Sequence, residues 1–317
     1  MPKNILVTGG AGFIGSHLVD KLLKIGHEVK VIDNFSPYYS PQLKHQNISH
    51  NKDNPNFKLI SGSITDNETV KTALKDTEII YHLASQPGIK ISVDNPITTN
   101  DTNINGTLNI LNQMRDTGIK KIIFQSSSSV YGKVKSLPFS ENEPKKPVSP
   151  YAVSKLACEH YVRVFSELYG FKMTIIRPFT VYGPRMRPDL AIAIFTKKAL
   201  KNEPITIFGD GSQTRDFTHV KNIVDANISA MAKGDNESFD IGTGRAYTVN
   251  ELLQNIIKIT GSASKIIHAD KRQGDTLNTL ADTEKARRIL DWEPKISLDQ
   301  GLKDYTEWFI SNQRTSL

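Results

Sequence analysis

Tyr151 and Lys155 stand four residues apart, and a phenol held beside an ammonium can move a proton. The two side chains meet only if the backbone between them is helical, because positions i and i+4 share a helix face. Pro150, immediately before the tyrosine, suits a helix's first turn, where proline is tolerated. Cys158, Val162, Phe165 and Tyr169 continue the same face, so the helix is expected to pack that stripe inward. A nearby cation favours the phenolate and is expected to lower the tyrosine's pKa from its ordinary value of about 10. Tyr151 is thereby a candidate acid/base near neutral pH. Alone, Tyr-x-x-x-Lys also describes a surface pair on an ordinary amphipathic helix; its force comes from the residues upstream.

Those upstream residues outline the elements that must position the pair. Asn4-Ile5-Leu6-Val7 reads as a short apolar strand, followed at once by Thr8-Gly9-Gly10-Ala11-Gly12-Phe13-Ile14-Gly15-Ser16. A helix then runs to about Ile25, with Leu18, Val19, Leu22 and Leu23 at helical spacing and Gly26 as its stop. Strand, glycine loop and helix in that order convert a glycine pattern into a phosphate site. Glycines let a pyrophosphate approach the backbone, and the helix N-terminus offers free N–H groups at a positive dipole end. The next strand, Glu28-Val29-Lys30-Val31-Ile32, ends in Asp33. That is close to the roughly 20 residues expected before the carboxylate that holds an adenosine ribose. A carboxylate there repels a 2′-phosphate and no arginine follows it closely, so the reading is NAD rather than NADP. A strand at 121–126 runs into Ser126-Ser127-Ser128-Ser129-Val130-Tyr131-Gly132. Ligands of doubly wound sheets sit at the carboxyl ends of the strands, so these hydroxyls join Tyr151 and Lys155 in one proton-handling group.

The remaining chain alternates in the same manner. Residues 34–56 read as a polar, irregular loop; strands are expected at 57–60, 78–82 and 173–176, and helices near 66–74 and 103–115. Ile104, Leu108, Leu111 and Met114 would share one face of the second helix. Short apolar strands alternating with helices indicate a parallel sheet covered on both sides. His82, at a strand end, reads as a satisfied structural histidine rather than a catalytic one. Beyond about 178 come shorter elements, with helices near 190–201, 220–231, 249–260, 283–290 and 298–311. The expected architecture is therefore α/β: a Rossmann-type doubly wound parallel sheet over 1–178, to which about 215–245 returns, and a smaller α/β substrate-binding C-terminal domain over 179–317.

At 317 residues the chain can bury a full core, and 38% hydrophobic with 23% charged residues describes a globular protein. No apolar run approaches the roughly 18 residues that span a bilayer, and the start is too short for a signal sequence, so neither membrane nor export is expected. The single cysteine, Cys158, reads as core, which suits the cytoplasm. A net charge of +7 would permit nucleic-acid binding, but the lysines are scattered and no basic stripe interleaves with aromatics. No nucleic-acid partner and no metal site are expected; anionic small molecules would still be attracted.

With these motifs in hand the chain resembles the extended short-chain dehydrogenase/reductases, and within them the NAD-dependent nucleotide-sugar 4-epimerases. The resemblance rests on the glycine loop Thr8 to Gly15, Asn103-Ile104-Asn105-Gly106-Thr107, Ser127 with Val130-Tyr131-Gly132, and Tyr151-x-x-x-Lys155. It continues through Arg177-Pro178-Phe179-Thr180, Arg215-Asp216-Phe217 and Arg272-x-Gly274-Asp275. It implies that Tyr151 takes the proton of the sugar C4 hydroxyl as hydride passes to the nicotinamide, that Lys155 binds the nicotinamide ribose, and that Ser127 holds the C4 oxygen. It implies further cofactor contacts from Gly9, Gly12, Phe13, Ile14, Gly15, Asp33, Asn34, Ser63, Ile64, Leu83, Ala84, Asn103 and Pro178. For a UDP-sugar it implies Ser128 and Thr180 at the sugar, Phe208 at the uracil, Arg215 and Arg272 at the diphosphate, and Asp275 at the uridine ribose. Forked guanidinium donors match phosphate oxygens. A homodimer is implied as well.

Where the family usually has an acidic residue near the adenine, this chain has Ser63 before Ile64, so adenine binding would rest on Ile64 and backbone. Dehydratase relatives carry an acidic pair in the serine stretch and decarboxylating relatives a glutamate just before Val-Tyr-Gly; here those positions are Ser128 and Ser129, which leaves epimerisation. For the sugar, Arg187 matches the position where uronate epimerases hold a C6 carboxylate, or it pairs with Asp189. Thr279 matches the position that leaves room for a C2 substituent. Glucose or N-acetylglucosamine derivatives are preferred here over glucuronate. A non-catalytic NAD-binding sensor and a simple alcohol dehydrogenase are the competing classes; the retained Tyr151 and Lys155 oppose the first, the arginines the second.

Overall fold

The computed structural model describes residues 1–133, 136–270 and 278–314. The first half alternates β1 (Asn4–Thr8), α1 (Phe13–Lys24), β2 (Glu28–Asp33), α2 (Pro41–Ser49), β3 (Phe57–Ser61), α3 (Asn67–Leu74) and β4 (Ile79–His82). Two short helices follow, α4 (Ile89–Asp94) and α5 (Pro96–Asn100), then a π-helical turn (Asp101–Asn105) that leads into α6 (Gly106–Met114). Next come β5 (Lys121–Gln125), a 3₁₀ turn (Ser128–Tyr131), α7 (Pro150–Tyr169), β6 (Lys172–Pro178) and β7 (Thr180–Tyr182). The later chain forms α8 (Ala191–Leu200), β8 (Ile205–Phe208), β9 (Thr214–Arg215), β10 (Phe217–His219), α9 (Val220–Ala232) and β11 (Glu237–Ile241). It ends with β12 (Tyr247–Thr248), α10 (Val249–Thr260), β13 (Ile266–Ala269), α11 (Glu284–Leu290) and α12 (Leu298–Arg314).

Among the described residues seven strands form one parallel sheet in the order β11-β6-β5-β4-β1-β2-β3. Strand order reverses between β1 and β4, the point where such sheets open a crevice. Side chains alternate across the sheet, as the strand period requires. Ile5 and Val7 enter the apolar layer under α1, α9 and α11, while Leu6 enters the layer under α3, α6 and α7. A third apolar cluster joins α8, β8, α10 and α12 and forms the smaller lobe. β11 lies in the main sheet beside β6, and Ala286, Leu290 and Trp292 pack into the main core although they follow the smaller lobe in sequence.

Several local expectations change. Residues 34–56 are not all loop: Pro41 starts α2, whose buried residues are only Lys44, Asn47 and Ile48. So polar a helix carries no apolar stripe to read. In α6 the inward stripe is Thr107, Ile110, Leu111 and Met114, and Leu108, at the edge of that stripe, is only half-buried. On α7, Cys158 and Val162 are fully buried and Phe165 packs against the core. Tyr169, in the last turn before the left-handed Gly170 cap, is exposed against Phe165 and Arg115. No helix among the described residues is long and apolar enough to cross a membrane.

Candidate active site

A cavity of about 740 Å³ opens at the carboxyl ends of the sheet strands and extends towards the smaller lobe. Its floor is the glycine loop. Gly9 has φ +70°, and a Cβ there would stand 2.9 Å from the Ala84 backbone; one on Gly15 would stand 2.2 Å from the Gly9 carbonyl oxygen. Only glycine lets β1, the loop after β4 and the start of α1 approach so closely. Gly12 caps α1 without a side chain, so the first helical N–H groups stay available at the cavity. Asp33, buried at the end of β2, accepts hydrogen bonds from Ala11 N (3.1 Å) and Phe35 N (2.9 Å). Gly9, Gly12, Phe13, Ile14, Gly15, Asp33, Asn34, Ser63, Ile64, Leu83, Ala84 and Pro178 all line the cavity. A close-backed glycine loop, an uncapped helix start and a buried carboxylate fit a dinucleotide, with the phosphates at α1 and the ribose at Asp33.

The proton-handling residues meet on the opposite wall. Ser149 caps α7, its hydroxyl accepting from Ala152 N at 3.2 Å, and Pro150 occupies the first turn, so Tyr151 is held at the helix mouth. Ser127 follows β5 in extended backbone; its Oγ accepts from Ser129 N at 3.1 Å and it is hydrogen-bonded to the Tyr151 phenol. Lys155 is almost fully buried, donates to the Gln125 carbonyl at 2.9 Å and lies 5.0 Å from the centre of the Phe124 ring. Desolvation lowers its pKa to about 8. The expected lowering of the tyrosine pKa is reversed: desolvation raises it, and only the Arg187 charge and the Ser127 hydrogen bond oppose this. Desolvation disfavours the phenolate by more than nearby groups favour it, and Lys155 itself is a weakened cation.

His82 is structural. It is fully buried between Thr8 Oγ1 (2.7 Å) and Thr107 Oγ1 (2.9 Å), and burial, followed by the Lys155 charge, lowers its pKa to about 3. Cys158 is buried, with Sγ donating to the Asn103 carbonyl at 3.1 Å.

Among residues expected at a sugar nucleotide, Ser128, Thr180, Arg187, Arg215 and Thr279 line the same cavity. Two expected ligands do not. Asn103 lies behind the wall, where its amide accepts from Gln86 N at 2.7 Å and donates to Ser154 Oγ at 2.8 Å. Phe208 ends β8, which pairs with β13, and it is exposed and not among the residues that line the cavity. Arg272 and Asp275 lie outside the described residues.

Arg187 is already engaged. Its Nε donates to Asp189 Oδ1 at 3.1 Å and its guanidinium sits 5.2 Å from the centre of the Tyr38 ring, while the Tyr38 hydroxyl donates to Asp189 Oδ2 at 3.0 Å. Sequence reasoning missed Tyr38, Tyr39, Lys44, Gln125 and Asp189 as cavity residues. Lys44 lies 4.0 Å from Asp33. For Tyr38, Tyr39 and Lys44 the only signal is two adjacent tyrosines in a polar stretch, which carries no period; Asp189 enters the sequence reading only as a partner for Arg187.

A family model described as GDP-mannose 4,6 dehydratase matches residues 6–305. A putative UDP-glucose 4-epimerase of Methanocaldococcus jannaschii is 40% identical, over 98% of this chain and 100% of the relative. Among solved structures, a UDP-glucose 4-epimerase from Thermotoga maritima with UDP-glucose is 42% identical with a TM-score of 0.92, covering 98% of this chain and 99% of that one. The UDP-glucuronic acid 4-epimerase of Bacillus cereus, in complex with UDP-glucuronic acid and NAD, is 35% identical with a TM-score of 0.93 and the same coverage.

Proposed function

Because the chain belongs to the GDP-mannose 4,6 dehydratase family of extended short-chain dehydrogenase/reductases, we propose that it is an NAD-dependent UDP-sugar 4-epimerase that inverts C4 of a neutral hexose. The carrying observation is the meeting of Ser127, Tyr151 and Lys155 in one cavity with the glycine loop and Asp33. Bound NAD supplies reversible acceptance of the C4 hydride. Tyr151 must first release its own proton to solvent through the open cavity; as phenolate it then accepts the C4 hydroxyl proton and later returns it. Ser127 holds the C4 oxygen and the phenol in one hydrogen-bonded pair. Lys155, fixed on the Gln125 carbonyl, places its remaining donors for the nicotinamide ribose and counters the charge that forms on Tyr151. Arg215 and Thr180 face the sugar nucleotide, and a cavity of about 740 Å³ leaves room for the 4-keto sugar to turn over. Ser128 and Ser129 supply no carboxylate for dehydration or decarboxylation.

The preference for a neutral sugar is supported by Arg187, whose fork is occupied by Asp189, and by the small Thr279 on the lining. A panel of UDP-sugars followed by proton NMR tests it. UDP-glucose and UDP-N-acetylglucosamine are expected to equilibrate with their galacto forms, and Arg187→Ala to change this little. Turnover of UDP-glucuronate alone, lost in Arg187→Ala by the tenfold to hundredfold that a charge-assisted hydrogen bond of roughly 1.5–3 kcal/mol implies, would replace the neutral sugar by a uronate.

The same reading assigns 1–178, with 215–245 returning, to NAD and the later lobe to the sugar nucleotide; β11 in the main sheet supports that division. It includes a cytoplasmic homodimer. A lone buried thiol suits the compartment. Ile89, Val93 and Ile97 on α4 and α5, with Val153, Val164 and Leu168 on the adjacent α7, form an exposed apolar face that suits a second copy.

A further inference from the structure

Arg177 and Glu159 take no part in the reaction as described, yet they are among the most buried charges in the chain, at 2% exposure each. Glu159 follows Lys155 by four residues, as Lys155 follows Tyr151, so all three share the inward face of α7. Its carboxylate accepts from Arg177 Nε (2.8 Å) and Nη2 (2.6 Å), a two-pronged pair, and from Ser126 Oγ at 2.5 Å. Ser126 directly precedes Ser127, and Arg177 directly precedes Pro178 on the cavity wall. The remaining prong, Arg177 Nη1, donates to the Tyr131 hydroxyl at 2.8 Å, and that hydroxyl donates to Asp240 on β11. Tyr131 closes the 3₁₀ turn that begins just after Ser127. Ser127 is therefore tied down on both sides by one ion pair, and the same pair reaches α7 and β6.

We propose that Glu159 and Arg177 are positioning residues that fix the rotation and height of α7 against the ends of β5 and β6, and so set the spacing of Tyr151, Lys155 and Ser127. The proposal rests on the functional reading above only for which atoms matter. A buried pair is a poor source of net stability, because removing two charges from water cancels most of their attraction. What the fork provides is geometry, since planar donors accept a carboxylate in one orientation. Catalysis is sensitive on that scale: a displacement of about 1 Å can cost roughly 10²-fold in rate.

The test compares the apolar pair Glu159→Leu/Arg177→Met with Glu159→Gln, which keeps the volume and the Ser126 bond but turns an amide N–H towards the fork. Melting temperature, kcat and KM for UDP-glucose, and amide hydrogen exchange over 149–156 are measured on the NAD-loaded protein. The apolar pair is expected to fold with a lowered melting temperature, because buried Asp240 loses the Arg177 charge that faces it through Tyr131. Both variants are expected to lose about 10- to 100-fold in kcat with KM little changed, and to exchange faster at the start of α7. Wild-type kcat and exchange in either folded variant overturn the proposal. So does activity that falls only in proportion to the folded fraction. If the wild-type protein turns over no UDP-sugar, the functional reading falls, and the exchange measurement, which needs no substrate, still decides on the positioning.

Discussion

At the scale of single residues, the protonation state of one half-buried phenol is what the candidate centre turns on. Tyr151 is shifted upward by desolvation, against the pull of Arg187 and the Ser127 hydrogen bond, so it rests protonated and needs a partner to ionise. Lys155, lowered to about 8 by its own burial, still carries its proton at neutral pH and offers that partnership at small cost. Removing the phenolic oxygen deletes the proton acceptor while leaving the cavity's shape. Tyr151→Phe is therefore expected to lower kcat by about 10²–10⁴-fold with UDP-sugar affinity largely kept, as steady-state rates and calorimetric titration would show. Wild-type turnover in that variant would remove Tyr151 from the acid/base role.

Between elements, His82 does the joining. It sits at the end of β4 and bridges Thr8 on β1 to Thr107 on α6. Thr107 donates its own proton to the Asn103 carbonyl, so the network assigns the His82 proton to Nε2 and leaves Nδ1 as acceptor for Thr8. The neutral ring is the one that fits. With a folded pKa of about 3 against 6.5, the unfolded chain binds the extra proton first as pH falls. Stability contributed by the neutral histidine is thus full above about 6.5 and lost progressively towards pH 3, at about 1.4 kcal/mol per pH unit. Urea unfolding at pH 7 and pH 5 should show that slope in the wild type and a flatter one in His82→Gln. Equal slopes would show that His82 is not held neutral.

At the scale of the whole molecule, apolar side chains stand exposed on neighbouring helices. Val93 and Ile97 are 60% and 76% exposed, and Leu168 on the neighbouring helix is 67% exposed. Exposed apolar side chains grouped on adjacent helices suit the homodimer proposed above. Light scattering behind size-exclusion chromatography is expected to give a dimer for the wild type and a monomer for Val93→Lys/Leu168→Lys. A wild-type monomer, or a doubly charged variant that still dimerises, would place the interface elsewhere or nowhere.

What was legible in the sequence was whatever is local. Gly9 to Gly15, Asp33, and the Tyr151/Lys155 spacing are set by short-range geometry: a strand, a turn that tolerates no Cβ, and a helix whose fourth residues share a face. These mark the candidate dinucleotide site and the candidate proton-handling pair without any tertiary information. The tertiary structure decided everything that depends on distant segments meeting. Tyr38 reaches Asp189 and occupies Arg187 across 151 positions, which bears on the sugar; no periodicity encodes that contact. The Glu159–Arg177 pair is of the same kind, whereas the return of about 215–245 to the main sheet is already expected from the sequence. The sign of the Tyr151 shift also lay beyond the sequence, because Lys155 shows a neighbouring charge, whereas desolvation depends on how many other segments close over the phenol.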